Sequence, residues 1–233
     1  MKRNYQKELE KIIEKQQRQR EGQGGEEEAK GQQAPKLLLH SCCAPCSSYV
    51  LEYLSCYFQI TVFYYNPNIY PEEEYEKRVE EQRQFIRQFQ QDRQTFFYEI
   101  AFQEGVYEKE RFYQMAQGLE TVPEGGERCF RCYRLRLEEA ARQAKGQKMD
   151  YFTTTLSISP LKNAEKLNQI GEELAQEYGV PYLVSDFKKK NGYKRSVELS
   201  EEYGMYRQDY CGCIFSMEER ERQKKQRAQQ IQE

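Results

Sequence analysis

Leu37-Leu38-Leu39-His40-Ser41-Cys42-Cys43-Ala44-Pro45-Cys46 runs an apolar stretch straight into adjacent thiols and on toward a helix. Three leucines in succession suit a strand buried on both faces, as strands of a parallel sheet are, and ligands of such sheets gather at the carboxyl ends of the strands. Cys42 and Cys43 stand at such an end. Taken singly, a free cysteine is as readily a small buried hydrophobe as a reactive group, so the placing of the others matters. Beyond them Val50, Leu51, Leu54 and Phe58 recur at helical spacing, with Ser47 and Ser48 available as caps. Cys46 therefore falls at a helix N-terminus, where the positive end of the dipole favours a thiolate.

Outward from this unit, strands alternate with helices. Residues 60–65 are β-branched and aromatic and stop at the turn Asn66-Pro67-Asn68. Pro71 opens a long amphipathic helix over 72–91. Residues 96–100 predict a third strand, 107–117 a short helix, 118–126 a loop and 129–144 a further helix. A fourth strand is predicted over 151–155, then a helix over 165–178 closed by a left-handed cap at Gly179, a fifth strand over 181–185 and a helix over 196–203. The alternation predicts an α/β fold, a Rossmann-like three-layer sandwich with a parallel sheet and right-handed crossovers. Fold alone fixes no function. Residues 1–35 hold too few large apolar side chains to order themselves as a domain and read as a disordered or frayed-helix N-terminal extension, the helix followed by a Gly-Gln-Glu linker. Residues 36–216 form one α/β catalytic domain, and 217–233 a charged, solvated tail.

The 233 residues include eight cysteines, one histidine, nineteen tyrosines and no tryptophan. No apolar run reaches the roughly 18 residues of a membrane span and none near the start reads as a secretory signal, so a cytoplasmic protein with no membrane partner is expected. Cysteine clusters in a reducing compartment point to metal or redox chemistry rather than to a disulfide framework. With His40 the sole imidazole, a metal site must be mostly thiolate. The formal charge of −2 carries no global signal for nucleic acid, so such a partner would be met by local patches.

Seven cysteines fall into three groups: Cys42, Cys43 and Cys46; Cys129 and Cys132; Cys211 and Cys213. Cys56 reads as core. A C-x-x-C at a helix start joined to a pair from another loop makes a four-thiolate site, for which zinc and an iron–sulfur cluster are both open. Adjacent cysteines, whose side chains tend to diverge, favour separate corners of a cluster. Cys211-Gly212-Cys213 can close and reopen a small strained disulfide, or is simply a turn with two thiols. The basic residues Lys188, Lys189, Lys190, Lys194 and Arg195, and a stripe of Arg128, Arg131, Arg134 and Arg136, suit phosphate contacts, with Tyr193 or Tyr210 to stack on a base; a solvated helix face explains them equally. His40, Asp209 and Tyr210 are acid candidates by their closeness in sequence to the thiols.

At Leu39-His-Ser-Cys-Cys-Ala-Pro-Cys46, Tyr65-Asn-Pro-Asn-Ile-Tyr-Pro71, Arg128-Cys-Phe-Arg-Cys-Tyr133, Thr154-Thr-Leu-Ser-Ile-Ser-Pro160 and Tyr210-Cys-Gly-Cys213 the sequence resembles the epoxyqueuosine reductases of the QueH family. The resemblance covers about residues 36–216. It implies a nucleotide alpha-hydrolase-like fold and reduction of the epoxide of epoxyqueuosine, at the wobble position of the tRNA anticodon, to queuosine. It also implies a 4Fe-4S cluster on Cys42, Cys43, Cys129 and Cys132, a redox-active pair at Cys211 and Cys213, and an unidentified electron donor. Cys46 is either packing or a ligand, with Cys211, Cys213 or Asp209, of one additional iron that would help the epoxide oxygen leave. Two other functions stand beside this one. An ATP-dependent tRNA-thiolating enzyme of the related fold needs glycines after the first strand to cradle phosphate, and none lies between His40 and Ser48. The other is a zinc-stapled RNA-binding module.

Overall fold

A computed structural model of the protein describes residues 3–21, 34–92 and 98–232. Strands β1 (Lys36–His40), β2 (Gln59–Tyr64), β3 (Ala101–Glu104) and β4 (Tyr151–Thr154) form a parallel sheet in the order β3-β2-β1-β4. β1 is central, with Leu38 paired to Thr61 on one side and Phe152 on the other. Alternate side chains leave a strand on opposite faces. Leu37 and Leu39 therefore enter one core with Val50, Leu51, Phe85 and Phe89, while Leu38 enters a second with Phe63, Leu137, Leu167 and Leu174.

Helices α1 (Tyr5–Glu21), α2 (Ala44–Leu54) and α3 (Glu72–Asp92) supply the first core. The short α4 (Lys109–Ala116) leads to α5 (Glu127–Gly146), which with α6 (Ala164–Tyr178) supplies the second. The architecture is the expected α/β three-layer sandwich. α6 begins with Asn163 accepting the Lys166 N–H at 3.0 Å and ends at Gly179 with φ 72°, the left-handed cap. α7 (Gly192–Glu202) lies against α2. Among the described residues no helix is long and apolar enough to cross a membrane.

Several segments depart from expectation. The few apolar residues of the N-terminal segment lie on one stripe of α1, and Leu9 and Ile13 are buried in the shared core, so too little surface for a core of its own is still enough to attach a helix to another. Residues 22–33, the expected linker, lie outside the described residues, as do 96 and 97 of the expected third strand. β3 instead starts at Ala101. Ile100 is a core residue held by its N–H to Gln90 Oε1 at 2.8 Å, and the paired segment itself is a mostly exposed sheet edge that needs no apolar signature.

The expected fifth strand is reduced to one bridge between Phe152 and Tyr182. Past it, Asn168 of α6 takes over the backbone of Ser185, accepting its N–H and donating to its carbonyl, both at 2.8 Å. The C-terminal segment forms α8 (Ile214–Gln232), helical without an apolar stripe and exposed over its outer turns.

Candidate metal centre

The strand ends assemble the site. Cys43, in extended backbone (φ −175°, ψ 162°), precedes α2, whose first turn carries Pro45. Gln82 of α3 accepts hydrogen bonds from Ser41 Oγ at 2.7 Å and Ser47 Oγ at 3.1 Å, and Asn66, just past β2, donates to the Ser41 carbonyl at 2.9 Å. Thr155, just past β4, accepts the Cys42 N–H at 3.3 Å. So braced, the Cys42, Cys43 and Cys46 sulfurs all lie within 4.8 Å of one another, with Cys42 and Cys43 at 3.8 Å. Adjacent cysteine side chains here converge, contrary to expectation, because the extended residue at the helix start turns both sulfurs into one space. Cys46 is drawn into the same group.

The three thiols share negative charge. Hydrogen bonds from Cys43 and then Cys46 hold Cys42 well below the usual thiol range against the effect of burial, with Arg136 and Thr155 assisting. Bonding to Cys42 in turn pushes Cys43 up to about 12 and Cys46 well up. Such a group gives up a first proton readily and the others only to a cation that replaces them. Three converging thiols could hold a metal ion.

The second and third cysteine groups stand beside this one. Cys129 and Cys132 occupy the first turns of α5; Cys129 accepts the Gly125 N–H at 3.3 Å, and burial raises Cys129 and pushes Cys132 up to about 11. Cys132 packs with Cys213, Phe112 and Leu135. Arg136, one further turn along α5, is buried and donates to Asn66 Oδ1; burial opposes its charge, yet Cys132, Cys42 and Cys211 raise its pKa. One guanidinium thus serves all three groups.

Cys211 lines the same cavity as the three thiols, about 570 Å³ in volume. Lys162, buried after β4, donates to Cys211 Sγ at 2.9 Å and to Glu124 Oε1 at 3.1 Å. Cys213 is pushed up to about 12 by burial. Gly212 between them has φ 113°, gives its carbonyl to the Tyr70 N–H at 2.7 Å, and packs so closely on Arg78 that a Cβ would stand 3.0 Å from Nη1. Arg78 is buried against Glu74 at 2.7 Å, and its Nη2 and the buried phenols of Tyr64 and Tyr133 have no hydrogen-bond partner among the described residues.

The acid candidates separate. His40 is fully buried, its pKa lowered to about 3 by burial and then by Arg136. Nδ1 lies 2.8 Å from Thr154 Oγ1, and Nε2 lies 3.0 Å from the Tyr65 carbonyl, which calls for a proton there, and 3.3 Å from the Arg136 Nε–H, which calls for a lone pair, so the ring is neutral and held on both nitrogens. It is structural. Tyr210 donates to the Tyr70 carbonyl at 2.8 Å and is pushed up to about 12 by burial. Asp209 lines the cavity but is paired with Lys224 at 2.6 Å, which with Arg220 holds it below the usual carboxylate range.

The basic residues behave unlike a patch. Lys188 pairs with Asp186, Lys190 with Glu10 of α1, Lys194 with Glu198, and Arg195 with Glu52 at 2.8 Å; Lys189 is exposed. In the arginine stripe, Arg128 and Arg136 point inward, while Arg131 pairs with Glu127 and Arg134 with Glu173 and Glu177. Arg128 fastens the loop before α5 through the Leu119 and Glu120 carbonyls at 2.9 and 2.8 Å. Cys56, expected in the core, is exposed because it lies past the end of α2. Sequence reasoning missed Arg78 and Lys162 as buried cations, and Arg136 carried a signal it passed over: with Cys129 and Cys132 it makes an i, i+3, i+7 face.

A family model described as Epoxyqueuosine reductase QueH matches residues 37–219, from β1 into α8. A protein of Staphylococcus epidermidis named epoxyqueuosine reductase QueH is 43% identical over 215 residues, 91% of this chain and 84% of that protein. Proteins of the same name from Streptococcus pyogenes (44% over 182 residues, 78% and 70%) and Thermotoga maritima (36% over 190 residues, 79% and 91%) are similar over most of both chains. The match runs through all three cysteine groups, and on it the chain belongs to the QueH family of epoxyqueuosine reductases.

Proposed function

We propose that the protein reduces the epoxide of epoxyqueuosine in tRNA to give queuosine, using a 4Fe-4S cluster on Cys42, Cys43, Cys129 and Cys132 and a redox-active pair at Cys211 and Cys213. The observation that carries the proposal is the convergence of Cys42, Cys43 and Cys46 at the floor of a cavity that also exposes Cys211, in a chain whose relatives are named for this reaction. The donor set fits a thiophilic group of net negative charge, since Arg136, Arg78 and Lys162 are buried around it.

Bound there, a cluster supplies electrons singly. Cys211 and Cys213 as a dithiol hold the two electrons and two protons that turn an epoxide into an alkene and water, and they leave as a disulfide. An external electron donor must reduce that disulfide for the next turnover. Lys162 holds Cys211 at the cavity while Cys213 stays buried, so Cys211 is the sulfur that meets substrate. Cys46 is the thiol left to hold one additional iron. Of Lys188, Lys189, Lys190, Lys194 and Arg195, the exposed Lys189 and the loosely paired Lys194 are the ones that contact tRNA phosphates.

One distance favours a second reading. Sulfurs 3.8 Å apart, as in Cys42 and Cys43, are what a single tetrahedral ion with metal–sulfur bonds of about 2.3 Å produces, as in a zinc-stapled RNA-binding module. Anaerobically purified protein is to be assayed for iron, sulfide and visible absorbance, then incubated with a chemical reductant and tRNA carrying epoxyqueuosine. We expect iron and sulfide, loss of one oxygen from the nucleoside, and a loss of about one iron in Cys46→Ser with the cluster spectrum kept. Stoichiometric zinc without iron, and an unchanged nucleoside, would refute the proposal.

A further inference from the structure

The cavity mouth carries apolar surface that the fold itself does not use. Leu161, 73% exposed at the loop before α6, and Tyr193, 41% exposed at the start of α7, both line the cavity whose floor holds the thiols. They are the two strongly exposed large apolar side chains among its lining residues, and they come from separate elements. The Arg207 guanidinium lies 5.9 Å from the Tyr193 ring centre. Its hydrogen bonds go to neutral oxygens only, Ser196 O at 3.3 Å and Ser200 Oγ at 2.9 Å, and it has no ion pair among the described residues. Next to it Tyr206, 36% exposed, has Lys77 Nζ 3.4 Å from its ring centre.

We infer that this mouth is a stacking site for one base extruded from a single-stranded RNA loop, held between Leu161 and Tyr193, with Arg207 and Lys77 taking the adjacent phosphates. The inference rests on the proposed action on tRNA and names where the substrate is gripped. A flat heterocycle stacks on an aromatic face regardless of its identity, and a cation beside the ring suits the backbone that follows it. A cavity of 570 Å³ is of the size that takes such a ligand, and a group appended to the base would reach down toward Cys42, Cys43 and Cys211. Charge separates this surface from the basic residues 188–195. There four of the five cations face carboxylates; at the mouth Arg207 carries no carboxylate partner.

The test uses full-length, anaerobically purified protein and an RNA hairpin with the sequence of a tRNA anticodon arm, against a blunt duplex of equal length. We expect the hairpin to bind more tightly, Tyr193→Ala and Leu161→Ser each to weaken hairpin binding about tenfold with the duplex unaffected, and Tyr193→Phe to bind as the unmodified protein. Arg207→Gln should weaken binding and flatten its salt dependence. In the reductase assay the Tyr193 and Leu161 losses should fall on KM and leave kcat and iron content in place. Equal binding of hairpin and duplex, or unchanged hairpin affinity in both Tyr193→Ala and Leu161→Ser, overturns the inference. An unmodified protein that grips the hairpin by these residues yet leaves the epoxide intact supports the stacking site and refutes the reductase proposal, so the two fail separately.

Discussion

Gly212 stands at φ 113° between Cys211 and Cys213 and against Arg78, so a methyl group there meets two separate penalties. Gly118 has φ 77° with open space around its Cα and meets only the backbone penalty. Gly118→Ala should therefore cost about 1 kcal/mol, and Gly212→Ala about 2–3 kcal/mol together with a change in the reactivity of Cys211, read by denaturant midpoints and by alkylation. Equal midpoints for the two variants would show that Arg78 simply moves aside. At this scale the cysteines were legible, because few roles other than packing and metal or redox chemistry use that side chain in clusters. Arg78, Arg136 and Lys162 were not. A charged residue reads as surface unless its surroundings are known: the partners of Arg136 and Lys162, Asn66 and Glu124, arrive from other segments, and the i, i+4 pair of Arg78 with Glu74 reads like any exposed helix pair.

Among the elements, the clamp of Asn168 on Ser185 replaces what a fifth strand would have supplied by pairing. Asn168→Ala strands a buried N–H and a buried carbonyl at once, each worth about 1–3 kcal/mol unsatisfied, so a loss of roughly 2–4 kcal/mol is expected in urea unfolding. A loss under about 1 kcal/mol would mean that water or a shifted strand takes over both groups. The same case shows the limit of pattern reading. β1, β2 and β4 were legible because burial imposes an apolar run, whereas β3 is an exposed edge and 181–185 is completed by a side chain. α8 was legible in neither way, since its composition is charged and its helix carries no apolar stripe, yet its Glu219 and Arg220 line the cavity.

Over the whole molecule, a formal charge of −2 means that any RNA affinity is local and that salt dependence reports how many phosphates are neutralised. Lys189 is exposed and Lys194 has only a pair at 3.9 Å on its own helix, so Lys189→Gln with Lys194→Gln tests residues 188–195 without disturbing the fold. If both bind tRNA phosphates, affinity falls and the slope of log K against log salt becomes shallower by about 0.7–0.9 for each phosphate left without its lysine; an unchanged slope marks them as solvated surface. Reversing Lys190 would instead set two carboxylates against each other at Glu10 and loosen α1. That thiols stand at the strand ends was legible from chemistry, but the geometry of Cys42, Cys43 and Cys46 was not, because nothing in a spacing says that adjacent sulfurs converge. The parallel sheet also has a consequence in time. β1 and β4 touch across 114 positions of chain, as at His40 and Thr154, and the cavity wall is finished only by α8. On the ribosome Cys42, Cys43 and Cys46 emerge first and wait, unshielded, for Cys132, Cys211 and the last helix. Non-local pairings of this kind close late. The cavity is thus complete only once α8 has folded, and until then the earliest thiols depend on their surroundings to stay reduced.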